Sequence, residues 1–177
     1  MKKSIIVIAA IIMMAGFTTK SFAQQFASAS NTANAKIVAA LTLTAVTPLD
    51  FGTMSVPTAP VNVSVSTTSG RTSSVLANID LLIQDAPPTA AAYTVGGETG
   101  YAYAITLPAN GVVTISNGTV SMAVNGFNAE TASEGTGLAG TIISSGDNFT
   151  VGATLVLGTS QAAGTYAGSF NVTVAYN

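Results

Sequence analysis

The chain has 177 residues, 48% of them hydrophobic and only 7% charged, with a formal net charge of −2 and no cysteine, histidine or tryptophan. These absences remove thiolate and imidazole catalysis, disulfide staples and every His or Cys metal site, and the scarcity of cations argues against a nucleic-acid partner. Apolar and β-branched residues are too abundant for a disordered chain, so the sequence reads as folded.

At the N-terminus, Lys2 and Lys3 precede an apolar run over residues 5–17 and a small-residue site at Ser21-Phe22-Ala23. That order predicts a secretory signal peptide over 1–23. The run is shorter than the ~20 residues that cross a bilayer, and Lys20 closes it, so a retained membrane anchor fits less well. A lipoprotein is excluded because its anchor needs a cysteine. Cleavage after Ala23 leaves two basic residues, Lys36 and Arg71, against seven acidic ones, a net charge of −5. The expected route is export through a periplasm to the cell surface or beyond, with no transmembrane span in the mature chain.

Odd positions from Ala27 to Ala45 are mostly Ala, Ile and Leu, and the even ones between them mostly Ser, Thr, Asn and Lys. This is the period of a strand with one buried face. Nineteen residues in one phase exceed the five or six of an ordinary strand, so the run divides into two strand-length functions. Residues 24–36 read as an N-terminal extension and candidate donor strand with Ala27, Ala29, Ala33 and Ala35 facing inward. Ile37, counted with these four as a candidate subunit-interface residue, begins the first domain strand, 37–46, of a sandwich domain over 37–177. The competing reading is one long or bent edge strand of a monomer.

Leu49-Asp50-Phe51-Gly52 follows Pro48 as a short strand, and Val61, Val63 and Val65 alternate with polar residues in the next. The run 75–83 is apolar enough to lie inside, until Asp85-Ala86-Pro87-Pro88 breaks it. Tyr93-Thr94-Val95 leads to a Gly96-Gly97 turn, and Tyr101, Tyr103, Ile105 and Leu107 share one face. Asn117-Gly118 between two apolar runs is a hairpin signal. Residues 125–145 read as a long loop with at most one short strand. Phe149, Val151, Ala153, Leu155 and Leu157 alternate again, and Phe170, Val172, Val174 and Tyr176 form the terminal strand. Nine or ten strands with frequent turns and no helical period predict an all-β sandwich of about 8–10 antiparallel strands.

Little in this inventory does chemistry. Glu130 with Glu134, or Asp80 with Asp85, are the only carboxylate pairs in reach of acid–base work, and their loop positions read better as solvated charge. Asp147 with Asn148, or Glu130 with Glu134, could offer oxygens to calcium, yet no loop motif for that ion is present. Tyr101, Tyr103 and Tyr176 are the candidates for a sugar platform, but they fall in phase with core positions. Four Asn-x-Ser/Thr triplets, at Asn62, Asn117, Asn148 and Asn171, are expected by chance in so Ser- and Thr-rich a chain. The reading is therefore not an enzyme, with no cofactor and no metal.

An exposed alternating strand needs a partner for its backbone. Insertion of the 24–36 arm into the sheet of another copy would supply one, and because such a contact does not close on itself it yields a filament. The elements IVAALTLTAVTPLDFG (37–52), YAYAITLP (101–108) and QAAGTYAGSFNVTVAYN (161–177) resemble the secreted bacterial family called domain of unknown function 4402 (DUF4402). In plan this is similar to fimbrial major subunits of the Mat/Ecp type. The resemblance implies an immunoglobulin-like sandwich and donor-strand assembly helped by a periplasmic chaperone and an outer-membrane usher. The expected function is a structural subunit of a bacterial surface fibre, a fimbria-like pilin or adhesin component. The alternative is a monomeric secreted module that binds surface glycans.

Overall fold

The computed structural model describes residues 26–82, 86–144, 146–159 and 161–177. The expected signal peptide over 1–23, Gln24, Ile83 and Asp85 lie outside them. The chain divides into two units, Met1–Lys36 and Ile37–Asn177. In the first, residues 26–36 carry no strand and every side chain is exposed, Phe26 at 83%.

The second unit is an all-β sandwich. Its strands among the described residues are β1 (Thr42–Thr47), β2 (Val61–Val65), β3 (Arg71–Ser73), β4 (Ala91–Gly96), β5 (Ala102–Thr106), β6 (Val113–Ser116), β7 (Ser121–Thr131), β8 (Gly135–Thr136), β9 (Ala139–Thr141), β10 (Gly146–Leu157) and β11 (Thr173–Tyr176). Strand β10 organises the larger sheet. One edge of it pairs antiparallel with β4 over Gly146–Val151 and then with β2 over Ala153–Leu157, while the other edge pairs with β7. Strands β1 and β3 extend the sheet beyond β4 and β2, and β6 and β8 extend it beyond β7. The smaller sheet has three strands in the order β11-β5-β9.

Alternation explains the elements: Val61, Val63 and Val65 are buried while Asn62 is exposed. In β10 the odd residues from Asp147 to Leu157 are buried throughout, and Gly152 is buried as well, at a register shift that changes the inward phase of β7 from Met122 and Val124 to Ala129 and Thr131. Only glycine fits that crossing, because a Cβ on Gly152 would lie 2.5 Å from the Val65 carbonyl oxygen. The apolar side chains form two clusters. One gathers Phe51, the β2 valines, Ile79, Val113, Met122, Val124, Leu155 and Leu157. The other gathers Val95, Phe149 and Val151 of the larger sheet with Tyr103, Ile105 and Ile142. Phe127 and Phe170 belong to both, their rings 5.0 Å apart.

Several expected boundaries move. The first strand begins at Thr42, not Ile37, because its partner β4 ends at Gly96 opposite Thr42 and no strand among the described residues extends the ladder. Ile37 is 94% exposed. The run 75–82 is not inside: it forms a 3-10 turn at Leu76–Asn78, Leu76 is 69% exposed, and only Ile79 is buried. Residues 49–52 contribute a single bridge, Asp50 to Thr89, not a strand. Residues 125–144 are not a loop. The eleven-residue β7 runs through Asn125-Gly126, with β8 and β9 after it. A register shift at that point absorbs Gly126, whose φ is +61°, so the glycine bends the strand and does not end it.

Candidate functional site

The smaller sheet covers only one of the two apolar clusters: its Tyr103, Ile105 and Val174 all pack on the cluster around Phe149. Over the other cluster the inner face of the larger sheet is roofed by irregular chain, and an apolar groove of about 660 Å³ opens there. Its floor is Val113 and Ile115 of β6, Met122 and Val124 of β7, and Leu155 and Leu157 of β10. Its rims are residues 49–57 and 161–170. Among the described residues no backbone hydrogen bond joins one rim to the other. Irregular chain, not a strand, covers this face, and Val113, Met122, Val124, Leu155 and Leu157 are buried beneath it.

Each rim is fixed to its own side. On the first, Arg71 donates from Nη1 to the carbonyls of Phe51 and Thr53, both at 2.8 Å, and from Nη2 to the carbonyl of Leu82 at 2.6 Å. Burial lowers the Arg71 pKa, and Asp50 acts against that shift. Asp50 Oδ1 accepts the Gly52 N–H at 2.7 Å, and Gly52 sits at φ +70° with Arg71 Nη1 only 2.7 Å from where a Cβ would be. The Asp-Phe-Gly sequence is thus a turn shaped around one guanidinium. On the second rim, Ala167 and Ser116 exchange backbone hydrogen bonds at 2.9 and 3.0 Å, and Tyr166 donates to the Ala162 carbonyl at 2.7 Å.

The segment leading into β1 is fixed at the other end of the sandwich. Tyr176 Oη donates to the Ala39 carbonyl at 2.7 Å and accepts the Glu98 N–H at 2.7 Å, while the Ala39 N–H donates to Glu98 Oε2 at 3.2 Å. Ala39 therefore lies beside Gly96 and Gly97, at the Gly146 end of β10. Leu155 and Leu157, in the groove, are at the opposite end of that strand. Nine residues at about 3.3 Å each place roughly 30 Å between Gly146 and Leu155.

The sequence-derived donor residues Ala27, Ala29, Ala33, Ala35 and Ile37 are all exposed and outside any strand. Of the carboxylates named from sequence, Glu130 accepts the Thr67 hydroxyl at 2.5 Å and Glu134 that of Thr141 at 2.6 Å, while Asp85 lies outside the described residues. Asp147 is buried and accepts the hydroxyls of Tyr103 at 2.8 Å and Ser133 at 2.5 Å. Burial, reinforced by that bond to Asp147, pushes the Tyr103 pKa well up. The trio joins β5, β10 and the turn after β7 through the core. None of the five tyrosines is fully exposed, and Tyr103 is 0% exposed. Sequence reasoning missed the groove and the Arg71 clamp. The available signal was a lone arginine in the domain together with the Asp-Phe-Gly turn.

Fold and groove together define an all-β sandwich whose larger sheet leaves an apolar trough between two separate rims. The chain belongs to the family described as Domain of unknown function (DUF4402), whose model matches residues 41–176. No curated protein matches the chain, and no solved structure does.

Proposed function

We propose that this chain is an exported structural subunit of a bacterial surface fibre, assembled when the 24–36 arm of one copy enters the groove of another. The observation that carries this reading is the groove itself: an apolar floor on three strands beneath two rims that, among the described residues, share no backbone hydrogen bond. An entering strand would find side-chain pockets below and main-chain partners at the rims, the two terms that stabilise β-augmentation. The arm's alternate alanines suit a tight strand-on-sheet approach.

Polarity supports a chain of copies over self-capture. Fully extended, the thirteen residues of the arm reach about 45 Å at most. Starting from Ala39, roughly 30 Å of that is consumed before the groove begins. A neighbour placed end to end has no such cost, and the resulting contact is head-to-tail and open-ended. The resemblance in plan to fimbrial subunits, read from the sequence alone, makes a periplasmic chaperone and an outer-membrane usher the expected partners of such a subunit.

A glycan-binding monomer finds less support, because sugar platforms need exposed aromatic faces, whereas Tyr103 is buried and the other four tyrosines are only partly exposed. The deciding experiment removes residues 24–36. The truncated protein should stay monomeric where the intact one forms fibres by electron microscopy, and Ala33→Asp or Ala35→Asp should act like the deletion by burying an unpaired charge. Fibres of normal length from all three variants would rule the arm out.

A further inference from the structure

Three Asn-Gly dipeptides, Asn110-Gly111, Asn117-Gly118 and Asn125-Gly126, frame the β6–β7 hairpin that floors the groove. Such dipeptides deamidate readily. The glycine backbone nitrogen loses its proton and attacks the asparagine Cγ, the Cγ–Nδ2 bond breaks, and ammonia leaves. Water then opens the succinimide to aspartate or isoaspartate. The attack needs a glycine N–H that is free and an asparagine side chain able to swing over it.

In this fold each of the three nitrogens is engaged. Gly111 N–H donates to Asn125 Oδ1 at 2.8 Å, and Gly126 N–H donates to Asn110 Oδ1 at 2.8 Å. Each asparagine therefore holds the nitrogen that would attack the other. Gly118 N–H donates to Ser116 Oγ at 3.0 Å, while Asn117 Oδ1 accepts the N–H groups of Thr119 at 3.0 Å and Val120 at 2.9 Å. Burial is not the protection, since Asn110, Gly111, Gly118 and Gly126 are exposed to water. Nor can the glycines be exchanged cheaply, because their φ angles are +79°, +92° and +61°.

We propose that Asn110 and Asn125 form a reciprocal clamp that suppresses deamidation at both positions and couples them as one modification site. Isoaspartate at either position moves the amide oxygen that engages the other's glycine, so the first reaction accelerates the second. The lesion falls at the end of the Val113–Val124 pairing, where an extra backbone methylene disturbs the groove floor.

The test follows isoaspartate at the three sites by mass spectrometry, on the purified protein at mildly alkaline pH, native and urea-unfolded. Asn110 and Asn125 should react at least about tenfold more slowly in the native state, and N125A should raise the rate at Asn110 about tenfold, as the loss of one restraining hydrogen bond allows. N110A should do the same at Asn125, and Asn117 should be unchanged in both. Native rates equal to the unfolded ones overturn the clamp, as does an unchanged Asn110 in N125A that keeps its native circular dichroism. An equal rise at Asn117 also overturns it, since Ser116 is untouched. If N125A fails to fold, the N110A arm decides.

Discussion

Tyr176 and Ala39 are 137 positions apart in sequence, yet the tyrosine hydroxyl donates to the alanine carbonyl at 2.7 Å while accepting the Glu98 N–H at the same distance. One side chain near the C-terminus thus fixes the point from which the N-terminal arm departs. Gly97 leaves room for it, since a Cβ there would lie 2.6 Å from the Tyr176 hydroxyl oxygen.

Tyr176→Phe keeps the ring contact with Tyr101 and removes both hydrogen bonds. The expected loss is about 1–2 kcal/mol in denaturant unfolding. Amide exchange should rise at Glu98, whose N–H loses its acceptor, while the groove floor stays protected.

Arg71→Lys tests the rim. A lysine ammonium cannot reproduce the planar fork that meets three carbonyls, so the variant should lose about 1–3 kcal/mol. Backbone exchange around residues 51–53 should accelerate. Gly52→Ala should be at least as damaging, from the positive φ and the contact with Arg71.

Alkaline stability follows from Tyr103, whose folded pKa is raised by burial and by Asp147. A proton held more tightly in the folded state stabilises the fold below the ordinary tyrosine pKa of about 10, and this contribution is lost as pH rises from there toward the folded value. Unfolding free energy should therefore fall above that pH. Tyr103→Phe should flatten the slope, leaving the part due to Tyr93, whose pKa burial also raises. At neutral pH the same variant should lose about 1.5–3 kcal/mol, the value of a hydrogen bond to a charged group.

Gly152→Ala forces a methyl against the Val65 carbonyl oxygen, 2.5 Å away, and against Asn128 Oδ1 at 2.9 Å. Overpacking of this kind costs about 1–3 kcal/mol. Because β2 and β7 flank β10 at that point, the loss should appear as a lower thermal midpoint with a weakened β2–β10 ladder by hydrogen exchange.

Local alternation made the sandwich legible: the β2 valines, the odd residues of β10, and Tyr103 with Ile105 all face inward as their period predicts. Periodicity failed where the partner ladder, not the strand, sets the limit. Residues 37–41 alternate as well as 42–45 do, but β4 ends at Gly96 and only the latter find a partner. It failed again at Asn125-Gly126, where turn chemistry is used for a bend inside β7. The groove was illegible because its floor is formed by strands from distant parts of the chain and is roofed by rims that have no period.

The absence of native cysteine permits the most direct measurement, disulfide trapping between the arm and the groove floor. Ala33→Cys and Ile115→Cys, with Ala29→Cys and Ala35→Cys to sample the register, are introduced into the same chain, and the oxidised products are separated on a denaturing gel. Strand exchange between copies predicts a reducible ladder of dimers, trimers and longer species from at least one pair, and none from either single variant. Exclusively monomeric product, with the disulfide closed inside one chain or not formed at all, would contradict it.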